Sequence, residues 1–346
     1  MASYSALEAI SPAIERTKFF LFKPFRLGRF LKLALVAALT EGTLSGFNFN
    51  LPFPGQMGKH APVSIPPFHW PSQHWASSLW IAIAVGFVLL AVPLCILLSY
   101  LLVRLRFAYF DCLISGQDQI APAWRKYHRQ ALRYLGVSLC LGLASMVVMI
   151  GIGLVIWVKY EDIFKGMIAG QKVDVFSLIP ALLIVFLIVS LLSLAMYVVN
   201  TSMSHFVLPK MALEDASVRD AFEEVWAEMK AEKGQFALFL LMRILLPAAA
   251  SLLAFMVLII PVIVVGAIAV AIGFAVHSMA ASSAVILIVL AVVGVLLLAI
   301  LAFVVSISVG GTIGTFTRNY GILFYAGRYP ELAFRLWPPP PLPLDG

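Results

Sequence analysis

Charge is what this chain has least of. Only 12% of its 346 residues are Asp, Glu, Lys or Arg, while 62% are hydrophobic. Mean hydropathy is +0.99. A soluble domain carries about 25% charged residues, so a water-soluble globule is excluded: the polar surface to coat one is missing. Cysteine is scarce too. Cys95, Cys112 and Cys140 lie in or beside apolar runs, form no CxxC pair and have no metal-ligand spacing. They read as small core residues and carry no information on redox compartment. Also absent are HExxH, a P-loop, a nucleophile elbow and a dinucleotide fingerprint. The sequence therefore offers no catalytic residue, no metal site and no cofactor. No secretory signal is expected, because the first 32 residues hold too many charges for its apolar region.

What the chain has in quantity is long apolar runs. Runs of 18 or more residues mark bilayer-spanning helices, and they are unbroken, unlike the alternating segments of membrane barrels. The expected fold is all-α: a polytopic helical membrane protein with spans at roughly 28–47, 77–103, 135–158, 178–200, 240–275 and 284–309. The fifth is long. The tract 236–276 extends about 60 Å as one helix against a hydrocarbon core of about 30 Å. Pro247, Pro261, Gly266 and Gly273 interrupt it. A kinked or tilted helix, a re-entrant pair and two crossings all remain open.

Basic residues set the orientation. They gather before span 1 (Arg16 to Lys32), between spans 2 and 3 (Arg104 to Arg133), between spans 4 and 5 (Lys210 to Arg243) and after span 6 (Arg318 to Arg335). Lys59, Lys159, Lys165 and Lys172 alone fall on the other side. The positive-inside rule then puts both termini in the cytoplasm. The expected partners are anionic headgroups and, secondarily, membrane or cytoplasmic proteins; nucleic acid is not expected.

Two short segments resemble each other: Ile10-Ser-Pro-Ala-Ile14 and Ile120-Ala-Pro-Ala-Trp124. Each precedes an odd-numbered span, and Val218-Arg-Asp-Ala-Phe222 precedes span 5. Aligned on Ala13, Ala123 and Ala221, the apolar positions are Ile10/Ile120/Val218, Ile14/Trp124/Phe222 and Thr17/Tyr127/Val225, one face of a helix. Helices are predicted near 11–20, 121–132 and 217–232, with Trp124 and Phe222 the most sheltered rings. Ser217 and Asp220 form a candidate capping box, and Gly234 a candidate C-cap. The predicted unit is an amphipathic cytoplasmic helix followed by a two-span hairpin, three times over (about 1–103, 116–208 and 214–320). These units make one membrane domain, 1–337, with a proline-rich tail, 338–346. The third helix is acidic; it either pairs with the basic copies or presents a solvated face.

The stretch Phe206-Val-Leu-Pro209 to Glu214, Ala221, Trp226 and Lys233-Gly234-Gln-Phe236 carries a resemblance. It is similar to a segment of uncharacterised prokaryotic six-span families. Among them are the membrane domain attached to glycerophosphoryl diester phosphodiesterases and the YciC-like proteins. The entry Arg26-Leu-Gly28-Arg-Phe30 is similar as well. The resemblance implies a six-span membrane fold; it carries no catalytic residue, since the phosphodiesterase chemistry belongs to a separate soluble domain.

Ionisable groups inside a bilayer are costly and mark candidate sites. Glu41 is the first, in span 1 beside Gly42 and Gly46, a GxxxG step for close helix approach. It reads as a proton- or cation-linked carboxylate, or more simply as one near the periplasmic headgroups or neutral at a helix contact. In the simpler case Glu41→Gln is nearly silent. Arg243 is expected to snorkel to the cytoplasmic surface, and Asp111 to pair with Arg104 or Arg106. Asn200, Thr201, Ser204 and His205 form a polar stripe that either lines a cavity or makes interhelical hydrogen bonds. Gly310 and Gly314 give a second GxxxG step. Residues 48–76 hold six prolines and His60, His69 and His74, whose spacing fits no metal site; Trp70, Trp75 and Trp80 read as an interfacial belt. The function expected is a non-enzymatic membrane scaffold or accessory protein. A transporter or channel between three hairpins is the alternative, and a membrane-embedded lipid enzyme the third.

Overall fold

The computed structural model describes residues 4–41, 74–117, 119–161, 179–279 and 284–337. Among them there are helices and turns and no strand. In chain order the helices are α1 (Ile10–Phe22), α2 (Leu27–Thr40), α3 (His74–Ser115), α4 (Ile120–Lys126), α5 (His128–Lys159) and α6 (Ile179–Ser202). A π-helical turn (Met203–Val207) leads into α7 (Leu208–Glu214), followed by α8 (Val218–Ala231), α9 (Lys233–Met279), α10 (Ala284–Ala326) and α11 (Pro330–Leu336). Five stretches are long and apolar enough to cross a membrane: Ile81–Ser115, His128–Lys159, Leu183–Glu214, Lys233–Pro261 and Val292–Ala326. The protein is a helical membrane protein.

The first expected span behaves differently. Its described part, α2, has 14 residues, about 21 Å of helix, which is shorter than the hydrocarbon core. Seven of those residues are buried, Phe30 to Thr40, so α2 is packed inside protein. The rest of that expected span, with Gly42 and Gly46, lies outside the described residues, as do His60, His69, Trp70 and the tail 338–346. The long fifth tract is one continuous helix: α9 runs 47 residues through Pro247 and Pro261.

Each long helix has two unlike halves. Buried side chains come from 6–40, 103–135, 201–239 and 307–333, close to where the twenty clustered Lys and Arg lie. These stretches make one compact layer. Beyond it the helices run bare, with Phe87, Leu90, Val147, Phe186 and Val257 about 70% exposed. The most apolar window of each span is unburied in four cases and 6% buried in the fifth.

Aromatic rings and close backbones hold the compact layer. Phe239 stacks on Phe324 at 4.5 Å and on Tyr320 at 5.1 Å, and Phe206 meets Tyr325 at 5.1 Å. Such pairs contribute about 0.5–1.5 kcal/mol beyond their buried area. Against α2, α10 presents Gly311 and Gly314. A Cβ on Gly311 would stand 2.2 Å from the Ala34 carbonyl oxygen, and one on Gly314 2.9 Å from that of Ala37. The close approach is made by Gly311 and Gly314, the latter from the GxxxG step of the sequence. The chain ends meet here too: the Tyr320 hydroxyl donates to the Ala6 carbonyl, and Asn319 to Thr17 Oγ1.

The three predicted amphipathic segments are helical, with changes. Ala13, Ala123 and Ala221 are all at most 3% exposed, and Thr17, Tyr127 and Val225 are buried. Ile14 is 41% exposed, and Trp124 and Phe222 are only half-buried. The sheltered face therefore runs through the alanines, whose small side chains let the helices approach closely, and the large rings sit at its edge. The second helix breaks at Tyr127 before α5 starts. Ser217 caps α8 by accepting from the Asp220 N–H; Gly234 is no C-cap but lies in the first turn of α9. The acidic third segment reaches its neighbours. Asp215 takes Gln130 Nε2 at 2.9 Å and Arg133 at 3.5 Å, Glu232 takes Arg328 at 2.7 Å, and Lys210 sits between Glu224 and Glu228.

Candidate functional site

The polar residues that the sequence scattered over four spans meet at the boundary between the compact layer and the bare helices. Glu41 ends α2, its N–H bonded to the Ala37 carbonyl. Its side chain is 3% exposed and faces three other elements. Oε1 lies 3.2 Å from Arg318 Nη1 on α10. Oε2 lies 3.8 Å from Arg243 Nη2 on α9 and 3.7 Å from His205 Nε2 on the π-turn. A third guanidinium, Arg106 of α3, donates through Nε to the Thr40 carbonyl. Arg318 also donates to the Ser204 carbonyl at 2.6 Å and lies over the Phe110 ring. Arg243 donates to Thr201 Oγ1 at 2.5 Å.

Local structure places these groups. The π-turn at 203–207 is a form seen most often at functional sites. His205 within it lies so close to α10 that a Cβ on Gly321 would stand 2.1 Å from Nδ1. The absence of that Cβ is what admits the imidazole. Burial here is incompletely satisfied. Arg318 Nε and Nη2 and both His205 ring nitrogens have no hydrogen-bond partner, each a costly condition in a low-dielectric interior.

A cavity of about 160 Å³ opens beside Glu41. Thr40, Glu41, Arg106 and Arg243 form one side; Tyr197, Asn200, Thr201 and Ser204 of α6 and the π-turn form the other. The exposed side chain of Asn200 marks its mouth. The polar stripe thus lines a cavity and also bonds between helices, through Thr201.

Several sequence expectations change. Glu41 lies within ion-pair distance of Arg318 and Arg243, because α2 ends inside the compact layer. Arg243 does not snorkel outward: its side chain is 18% exposed and turned to Glu41 and Thr201. Asp111 pairs with neither Arg104 nor Arg106. It accepts from the Tyr127 hydroxyl at 2.5 Å and lies 3.6 Å from Lys126. Burial and that carboxylate together push the Tyr127 phenol well above its ordinary pKa. Arg104 instead donates to the Trp124 carbonyl and stacks on its ring. Arg318, the largest fully buried side chain among the described residues, was missed among the flanking positives. The signal available was the lone carboxylate in an apolar run, which demands a cation. No metal-holding group of His, Cys, Asp or Glu occurs among the described residues.

These features define a class: a helical membrane protein with a charged cluster buried in a compact layer at one end of its spans. The chain belongs to the family described as a family of unknown function (DUF7544), which matches residues 4–335. No curated protein and no solved structure matches it.

Proposed function

We propose that the protein is a non-enzymatic scaffold or accessory protein of a prokaryotic inner membrane, whose compact layer lies on the cytoplasmic leaflet with anionic lipid headgroups as partners. One observation carries the reading. The stretches that build the solid aromatic core hold 18 of the 24 basic residues, so the packed part of the molecule is also the part that anionic headgroups attract. A packed core suits a scaffold better than a transport path. Buried Ala13, Ala123 and Ala221, each on a short helix ahead of a longer one, support three related helix-plus-hairpin units. The likeness to the membrane domain of glycerophosphoryl diester phosphodiesterases and to YciC-like proteins belongs to the same proposal.

The orientation is tested by accessibility labelling of single cysteines, His60→Cys and Asp220→Cys, in a background lacking the native three. Opposite sides are expected; labelling of both from one side sinks the topology. The scaffold reading is tested by lipids carried through purification, with anionic species enriched over the bulk membrane. The transporter reading replaces it if proteoliposomes show a pH-driven flux that Glu41→Gln abolishes.

A further inference from the structure

We propose that the cavity beside Glu41 is a binding site for a phosphate-type oxyanion, gripped by Arg106 and Arg243. The inference is independent of the scaffold reading, since an internal anion site serves a scaffold, a transporter or an enzyme.

Charge leads to it. Arg243 and Arg318 share one carboxylate, and Arg106 stands beside it on the Thr40 carbonyl, an excess of two positive charges among the described groups. An unmatched buried charge is strongly destabilising. Glu41 is also shared too thinly: it reaches Arg318 at 3.2 Å but Arg243 only at 3.8 Å. The guanidinium of Arg243 therefore faces the cavity with its charge incompletely matched. Cations are repelled by this excess, and an apolar ligand has no partner in a lining of hydroxyl, amide and guanidinium groups. An oxyanion fits both conditions, because planar guanidinium forks match phosphate oxygens in bidentate geometry. The size is suitable for one such group with a few waters.

Depth points the same way. On α3 the bare apolar run ends near Leu102, and Arg104 and Arg106 follow within four residues. From Ile81 that run is about 33 Å of helix, one hydrocarbon thickness. The mouth at Asn200 directly follows the apolar run of α6. Both place the opening where lipid phosphates lie. The shared chemistry is the phosphate group; its source is a lipid headgroup or a free ion.

The test uses the full chain in a maltoside detergent, without phosphate, and reads the Tm. Inorganic phosphate is titrated against chloride of equal ionic strength, and short-chain phosphatidic acid in mixed micelles forms the second arm. Ligand that binds the folded state raises the Tm. The half-saturating concentration should rise roughly tenfold or more in Arg106→Gln and Arg243→Gln, the worth of a charged hydrogen bond, and stay unchanged in the exposed Arg125→Gln. If the buried variants do not fold, Asn200→Asp puts a negative charge at the mouth and should weaken binding likewise. A shift with phosphate identifies a free ion as sufficient; a shift with phosphatidic acid alone identifies the headgroup. No shift with either ligand overturns the site. So does an equal loss in Arg125→Gln, which would mean that any surface positive charge serves.

Discussion

Helix α3 can be compared with itself. From Ile81 to Leu102 its side chains are largely aliphatic and mostly bare, Leu89 being 69% and Leu90 72% exposed. A turn later Phe107, Ala108, Tyr109 and Phe110 are 0% exposed. The helix runs on unbroken, but Arg104, Arg106 and Asp111 enter its sequence and its surroundings change. In the first half lipid tails are as good a partner as protein, so no force drives side chains together. In the second half, aromatic rings, small residues and polar hydrogen bonds supply the adhesion that hydrophobicity alone does not. Tyr109 illustrates this: its hydroxyl donates to Thr315 Oγ1 on α10. The lesson is that polar and aromatic groups together separate protein-facing from lipid-facing helix.

If the two regions differ as described, equal substitutions should have unequal effects. The largest contrast is between carboxylates. Glu41→Gln leaves the buried Arg318 and the part-buried Arg243 without their counter-charge and should destabilise by about 3–5 kcal/mol, whereas Glu223→Gln, 63% exposed beside Arg219, should cost less than about 1 kcal/mol. Thermal unfolding in detergent measures both, and adding Arg318→Met to Glu41→Gln should recover part of the loss. Equal Tm values for the two single variants would mean that the cluster is not ion-paired.

Glycines sharpen the comparison at lower energy. Gly311→Ala drives a methyl into the Ala34 carbonyl and should destabilise by about 1–3 kcal/mol. Gly86→Ala meets nothing within 4 Å and should be neutral or stabilising by about 0.5–1 kcal/mol. A Tm that moves the same way in both would remove the distinction between packed and bare halves. Smallest is the cap of α8: Ser217→Ala should cost about 1 kcal/mol, read as earlier loss of hydrogen-exchange protection in α8 alone. Unchanged protection there would show that the tertiary contacts of Val218 and Ala221 hold the helix without its cap.

Much of this fold was legible because apolar length and helix period are local signals. The five spans, the helices at Ile10, Ile120 and Val218, and the Ser217 cap each follow from a window of a few turns. What was not legible depends on distance along the chain. Arg318 reads as one more positive charge after a span, and its role appears only when Glu41, 277 residues earlier, is brought beside it. Gly311, one residue away from the GxxxG step, reads as any other small residue until α2 comes against it. The orientation of Trp124 failed for a related reason: the helix face was fixed by how closely alanine lets a neighbour come, while hydrophobicity favoured the ring.

The junction of Ala6 and Thr17 with Tyr320 and Asn319 has a consequence for biosynthesis. The first helices emerge from the ribosome early, but their main partner, the compact half of α10, is among the last segments made. Until Ile307 to Ala326 is translated and inserted, α1 and α2 lack their main surface to close upon, and contacts spanning some three hundred residues are slow to form. A nascent chain interrupted before that point would display its opening segment as an unfinished edge, open to the proteases and chaperones that patrol the membrane for incomplete translation products.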